Sequence, residues 1–107
     1  ADAEVYAAVE VVTALLADPL FDLVRQADRA GRCDRELPIV WKAPDGTLVE
    51  GTIDLAFEDL TGLTIVDFKT DRELATDLER YTRQLTVYCQ ALGTIRNTTA
   101  RGILARV

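Results

Sequence analysis

Asp67 and Lys69 stand two residues apart inside Leu63-Thr64-Ile65-Val66-Asp67-Phe68-Lys69-Thr70, a run otherwise made mostly of β-branched, aliphatic and aromatic residues. Such a run, entered through the turn signal Leu60-Thr61-Gly62, predicts a strand covered on both faces. A strand repeats every two residues, so both charged side chains point to the same face. Isolated charges in a dry interior cost several kcal/mol, and buried ones are normally paired or bind a metal. The pair is therefore either a structural ion pair or a carboxylate and an ammonium that do chemistry. Taken alone, Asp67 and Lys69 also fit the polar face of a half-exposed strand.

Further candidates lie on either side. Gly51-Thr52-Ile53-Asp54 puts a second carboxylate on the preceding extended segment, just after a glycine of the kind that marks a bulge or a close backbone approach. Gln84 and Tyr88, four residues apart, share one face of a helical segment. The chain contains no histidine, so any chemistry must rest on carboxylates, lysine, tyrosine and hydroxyls.

The elements that position these residues can be read in order. Residues 1–17 are alanine-rich, with Val5, Val9, Val12 and Leu16 at helical spacing, and predict an amphipathic helix. Asp18-Pro19 reads as an N-cap and first helical residue of a second helix, from about Leu20 to Ala30, ended by Gly31. Its Asp22, Arg25, Asp28 and Arg29 read as a solvated face. Leu37 to Lys42 is a first strand, with Pro38 near its start or on an edge. Ala43-Pro44-Asp45-Gly46 is a turn, and Thr47 to Phe57 the antiparallel partner. Residues 63–70 complete a three-stranded meander. Asp71 to Ala75 reads as irregular, and the capping box Thr76-x-x-Glu79 opens a helix to about Leu92, with Gly93 beyond it. Leu78, Tyr81, Leu85, Cys89 and Leu92 form its apolar stripe, and Ala100 to Val107 a last strand.

Composition narrows the function classes. A chain of 107 residues, 49% hydrophobic, is one domain's worth with enough apolar surface for a core. No apolar run approaches the roughly 18 residues of a membrane span, no signal peptide is visible, and a cytoplasmic location is expected. Cys33, in an expected loop, and Cys89, in an expected helix, match no metal spacing or disulfide framework and read as reduced thiols. A net charge of −6 disfavours a free-standing basic nucleic-acid binder, but not an enzyme whose site gathers carboxylates around a divalent cation. The chain lacks methionine, so it is expected to be a piece of a longer protein.

Gly51-Thr52-Ile53-Asp54, Ile65-Val66-Asp67-Phe68-Lys69-Thr70 and Gln84-Leu85-Thr86-Val87-Tyr88, in that order on strand, strand and helix, resemble three motifs of the RecB-like nucleases of the PD-(D/E)xK superfamily. The likeness runs from about Glu36 to Val107 and is nearest to the C-terminal nuclease domain of bacterial AddA- and RecB-type helicase–nucleases. The resemblance implies an α/β, restriction-endonuclease-like core: a three-stranded antiparallel meander plus a last strand after a crossover helix, in one mixed sheet flanked by helices. It implies a single nuclease domain over residues 1–107, a DNA exonuclease serving double-strand-break repair and recombination, whose partners are DNA, the rest of the helicase and a partner subunit. Asp54, Asp67 and the carbonyl of Phe68 would hold Mg²⁺ or Mn²⁺. Lys69 would orient or deprotonate the attacking water or stabilise charge on phosphate, and Gln84 and Tyr88 would hold water, a side chain or the DNA backbone. Arg80 and Arg83, on the same helix, read as solvated or phosphate-binding. Glu36 could be an acidic residue ahead of the first strand or simply exposed. The family's upstream histidine has no counterpart here, so the isolated piece is expected to have little or no activity, and nor has the four-cysteine iron–sulfur site of some relatives. The alternatives are a nuclease fold that holds DNA or a partner subunit without cutting, and a restriction-type endonuclease, for whose specificity loops the short connections leave little room.

Overall fold

The strand Gly62–Lys69 lies at the middle of a five-stranded sheet, with two strands on either side. In chain order the elements are β1 (Ala7–Thr13), α1 (Pro19–Arg29), β2 (Cys33–Lys42), β3 (Leu48–Asp59), β4 (Gly62–Lys69), α2 (Asp71–Arg96) and β5 (Ala100–Arg106). A computed structural model describes residues 7–13 and 19–106. The sheet order is β1-β5-β4-β3-β2. β2, β3 and β4 form the antiparallel meander, while β5 returns parallel to β4 through the crossover helix α2. This is the mixed sheet expected from the sequence.

The expected N-terminal helix is not what residues 7–13 form. They make strand β1, parallel to β5, with Ala7 opposite Ala100 and Thr13 opposite Arg106. Val9, Val11, Val12 and Thr13 are β-branched, and the outer edge of β5 offers a ladder of hydrogen bonds that outweighs the helical spacing of a few valines. The remainder of that expected helix, residues 1–6 and 14–17, and the proposed cap Asp18 lie outside the described residues.

α1 starts on Pro19, as expected, and ends at Gly31, whose φ of 70° suits a residue without Cβ. There the Arg32 N–H donates to the Ala27 carbonyl at 2.8 Å and the Gly31 N–H to that of Asp28 at 3.1 Å, which closes the helix. Cys33 opens β2 instead of lying in a loop, and Pro38 sits on the sheet edge, where its missing N–H costs no ladder bond.

α2 departs from expectation at both ends. Its N-cap is Thr70, in a capping box with Glu73, so residues 71–75 are helical and not irregular. Thr76 lies inside the helix, its hydroxyl donating to the Arg72 carbonyl at 2.6 Å. The axis kinks at Asp77 (φ −150°, ψ 46°). The helix also passes through Gly93 and ends at Asn97, in the left-handed region, where the Thr98 N–H donates to the Gly93 carbonyl at 2.9 Å. Gly93 is buried within the helix, where tertiary packing offsets its propensity cost of about 1 kcal/mol.

Two apolar clusters sandwich the sheet. On the α2 side Leu85, Cys89 and Leu92 pack on Ile53, Ala56, Leu63, Ile65 and Leu104. On the α1 side Val24 and Ala27 pack on Leu55, Phe57, Val66, Ile103 and Ala105. β4 feeds both, so burial on its two faces is real. α2 lies very close to the sheet: a Cβ on Gly102 would stand 2.7 Å from the Leu85 Cγ and 3.0 Å from the Cys89 Sγ. Of the expected helix stripe only Leu78 is exposed.

Candidate active site

Residues two apart in a strand normally share a face. β2 and β3 break this rule together. Leu55 belongs to the α1-side cluster and Ile53 to the α2-side cluster. On β2, Arg35 lines a cleft with Phe21 of α1, while Leu37 packs on the α2 side. Between these residues lie Asp54 and Glu36, the latter with φ 49°, so the pleat inverts in both strands at once and the register is kept. The β3–β4 ladder ends at Leu55 opposite Val66, one step short of Asp54 and Asp67. From there β3 stays with β2 while β4 continues along β5. The Phe68 N–H, having no β3 carbonyl to meet, donates to Asp54 Oδ2 at 3.0 Å. The sequence candidates on the sheet therefore converge where β3 and β4 part.

Asp67 and Lys69 point to the α2 side of β4, as their spacing requires, and form an ion pair of 3.1 Å with side chains 16% and 15% exposed. Burial pushes the Asp67 carboxyl up to about 6, helped by a hydrogen bond to Asp54 and opposed by Lys69. For Lys69, burial is the largest single influence and works against the ammonium. The hydrogen bond and charge of Asp67, with Glu73 and Asp54 adding, outweigh it, so the Lys69 pKa is raised. Two carboxylates and one charged ammonium thus share a half-buried pocket of the sheet.

On α2, Gln84 and Tyr88 do share a face, Gln84 Nε2 donating to the Tyr88 hydroxyl at 3.4 Å. Tyr88 reaches over the sheet to Gly51, where an added Cβ would lie only 2.7 Å from its Cζ. The close backbone approach expected at Gly51 is this contact. The helix side chain that meets Lys69 is a different one: the ammonium sits over the Tyr81 ring, 4.5 Å from its centroid. By sequence Tyr81 falls in the apolar stripe, and only its position two turns before Tyr88 hints at more. Arg80 and Arg83 are exposed and paired along the helix with Asp77 at 3.6 Å and Glu79 at 3.3 Å. Among the solvated charges expected on α1, Arg25 bonds Asp22 at 2.6 Å and Asp28 reaches Arg35 of β2 at 3.5 Å.

A comparison with protein-family models matches residues 4–106 to the PD-(D/E)XK nuclease superfamily. The chain belongs to that superfamily. Two curated relatives agree, and both are described by name as ATP-dependent helicase/nuclease subunits. That of Anoxybacillus flavithermus is 33% identical over 96 residues, covering 81% of this chain and 8% of the relative. That of Bacillus velezensis is 33% identical over 97 residues, covering 69% of this chain and 8% of the relative. The chain thus spans less than a tenth of the length of these relatives.

Asp67-Phe68-Lys69 of β4 has the (D/E)XK pattern that appears in the superfamily's name. The donor set fits a hard divalent cation. Asp54 and Asp67 offer oxygen, and the raised Asp67 pKa reports mainly the cost of burying its charge, with the neighbouring Asp54 adding to it, a cost that a bound cation would relieve. Among the described residues no group of three or more His, Cys, Asp or Glu could hold a metal ion. A cation here would depend on the two carboxylates and water, with the Phe68 carbonyl as the further ligand that the family resemblance implies, a set that suits Mg²⁺. Asp54 also lines the α1-side cleft, about 700 Å³ in volume, with Glu36, Arg25, Arg35 and Phe21. Glu36 is thus both exposed and beside the candidate site, so the two readings left open by the sequence hold together. Among the described residues no helix is long and apolar enough to cross a membrane.

Proposed function

We propose that this chain is the metal-dependent DNA exonuclease domain of a longer ATP-dependent helicase–nuclease acting in double-strand-break repair and recombination. The observation that carries the reading is the convergence of Asp54, Asp67 and Lys69 where β3 and β4 separate. Membership of the nuclease superfamily and the printed descriptions of the two relatives support the wider context.

In this reading residues 1–107 are one nuclease domain that works with the rest of the helicase and a partner subunit. Asp54, Asp67 and the Phe68 carbonyl hold Mg²⁺ or Mn²⁺, which supplies Lewis acidity and an activated water when bound. Asp54 is preoriented by the Phe68 N–H and also hydrogen-bonds Asp67, so the two carboxylates are held side by side. Lys69 faces a carboxylate and an aromatic ring, surroundings that favour the ammonium, so its role is to stabilise charge on the phosphate or orient water, and not to act as general base. Gln84 and Tyr88 hold water or the DNA backbone from α2.

The test is calorimetric titration of Mg²⁺ and Mn²⁺ into the wild type, Asp54→Ala and Asp67→Ala. Affinity should fall by about 10-fold or more in both variants; unchanged binding overturns the site. Lys69→Ala should slow DNA cleavage by about 100-fold or more while the fold persists. The lack of histidine and the net charge of −6 favour a second reading, a nuclease-fold module that holds DNA or a partner subunit without cutting. A cleavage assay on the full-length protein, with and without metal, separates the two, because only the first yields shortened DNA.

A further inference from the structure

The ammonium of Lys69 has two neighbours on different elements: Asp67 on its own strand and the ring of Tyr81 on α2. Asp67 alone is a poor anchor for it. That carboxylate is also wanted by a cation, and a lysine stem with four rotatable bonds can follow its partner or swing away from it. The ring of Tyr81 has no competing ligand of that kind, and its face attracts a cation through its quadrupole. It is held from below as well. Tyr81 packs against the α2-side core, and α2 resumes just before it, after the kink at Asp77. The Arg80 guanidinium is a weaker claimant on the same ring, at 5.9 Å and with its own partner in Asp77.

We propose that Tyr81 is a positioning residue for Lys69: its ring face fixes the ammonium at the site, so that Lys69 stays in place when Asp67 turns to a cation. The proposal rests on the nuclease reading for its consequence but not for its geometry, and its test separates the two. The chain has two lysines, Lys42 and Lys69, so the side-chain resonances of each can be assigned without ambiguity. In the 107-residue protein the Lys69 Hε and Hδ signals should lie upfield of those of exposed Lys42, shifted by the ring current of Tyr81. The shift should persist in Tyr81→Phe, vanish in Tyr81→Leu, and remain when Mg²⁺ is added. Lys69 signals at the same positions as those of Lys42 in the wild type, or loss of the shift on adding Mg²⁺, would overturn the proposal.

In a DNA cleavage assay on the longer helicase–nuclease that carries this domain, Tyr81→Leu should lower kcat by about 10-fold or more with little change in metal affinity, as expected for a misplaced group. Tyr81→Phe should cleave close to the wild-type rate. Equal loss in both variants would assign the effect to the hydroxyl and overturn the role of the ring. Should Tyr81→Leu fail to fold, Tyr81→Met, a flexible filler without a ring, takes its place. A ring-shifted Lys69 in the 107-residue protein, together with a longer helicase–nuclease that cleaves no DNA with metal added, would sink the nuclease reading and leave the ring–ammonium contact standing.

Discussion

Gly51 and Tyr88 face each other so closely that neither can be described without the other. An added Cβ would run into the tyrosine hydroxyl oxygen, well inside any real contact, and the ring is itself half-buried against the core. Gly51→Ala should therefore force Tyr88 aside and cost about 1–3 kcal/mol by overpacking, read from denaturant unfolding. The cost should shrink when Tyr88→Ala is added, since the clash is with that ring, and a double-mutant cycle showing no coupling would refute the contact. Single residues also show which part of the site was not visible in sequence. Asp54 and Tyr81 each acquire their meaning from a group on another element, the Phe68 N–H and the Lys69 ammonium.

At the scale of elements, α2 is two helical pieces joined at Asp77, and its start is set by Thr70 immediately after the site lysine. The Glu73 N–H donates to Thr70 Oγ1 at 3.2 Å, and the Thr70 N–H to Glu73 Oε1 at 3.1 Å. That second hydrogen bond, first among its causes, holds the Glu73 carboxyl below the usual range. Thr70→Ala should cost about 1 kcal/mol, the usual penalty for a lost cap, whereas Thr76→Ala should change stability little. Chemical denaturation of both variants decides which threonine caps the helix. Two sites fit the Thr-x-x-Glu pattern, Thr70 with Glu73 and Thr76 with Glu79, and the tight passage from β4 selects the first. Propensity alone could not choose between them. The same holds for β1, whose valines suit a helix stripe in isolation and a strand once β5 offers its edge.

For the molecule as a whole, the two cysteines report on how the layers close. Cys89 is fully buried between α2 and the sheet, and burial pushes its thiol up to about 12. Cys33 is partly accessible at the start of β2, with a smaller upward shift caused mainly by burial. A thiol reagent at neutral pH should modify Cys33 in the native protein and Cys89 only as fast as the fold opens; equal native rates would contradict the packing of α2. Local patterns along the chain are enough to specify the meander, α1, the return strand and the candidate residues on β3 and β4. Alternation, turn residues and charges inside an apolar run are short-range signals, and three ordered motifs supplied the family. Other features came only with packing: residues 7–13 pair as a strand, the pleat inverts at Glu36 and Asp54, Asp54 takes the Phe68 N–H, and Tyr81 meets Lys69. Each of these depends on groups far apart in the chain, whose hydrogen bonds and burial exist only once the strands and helices have come together.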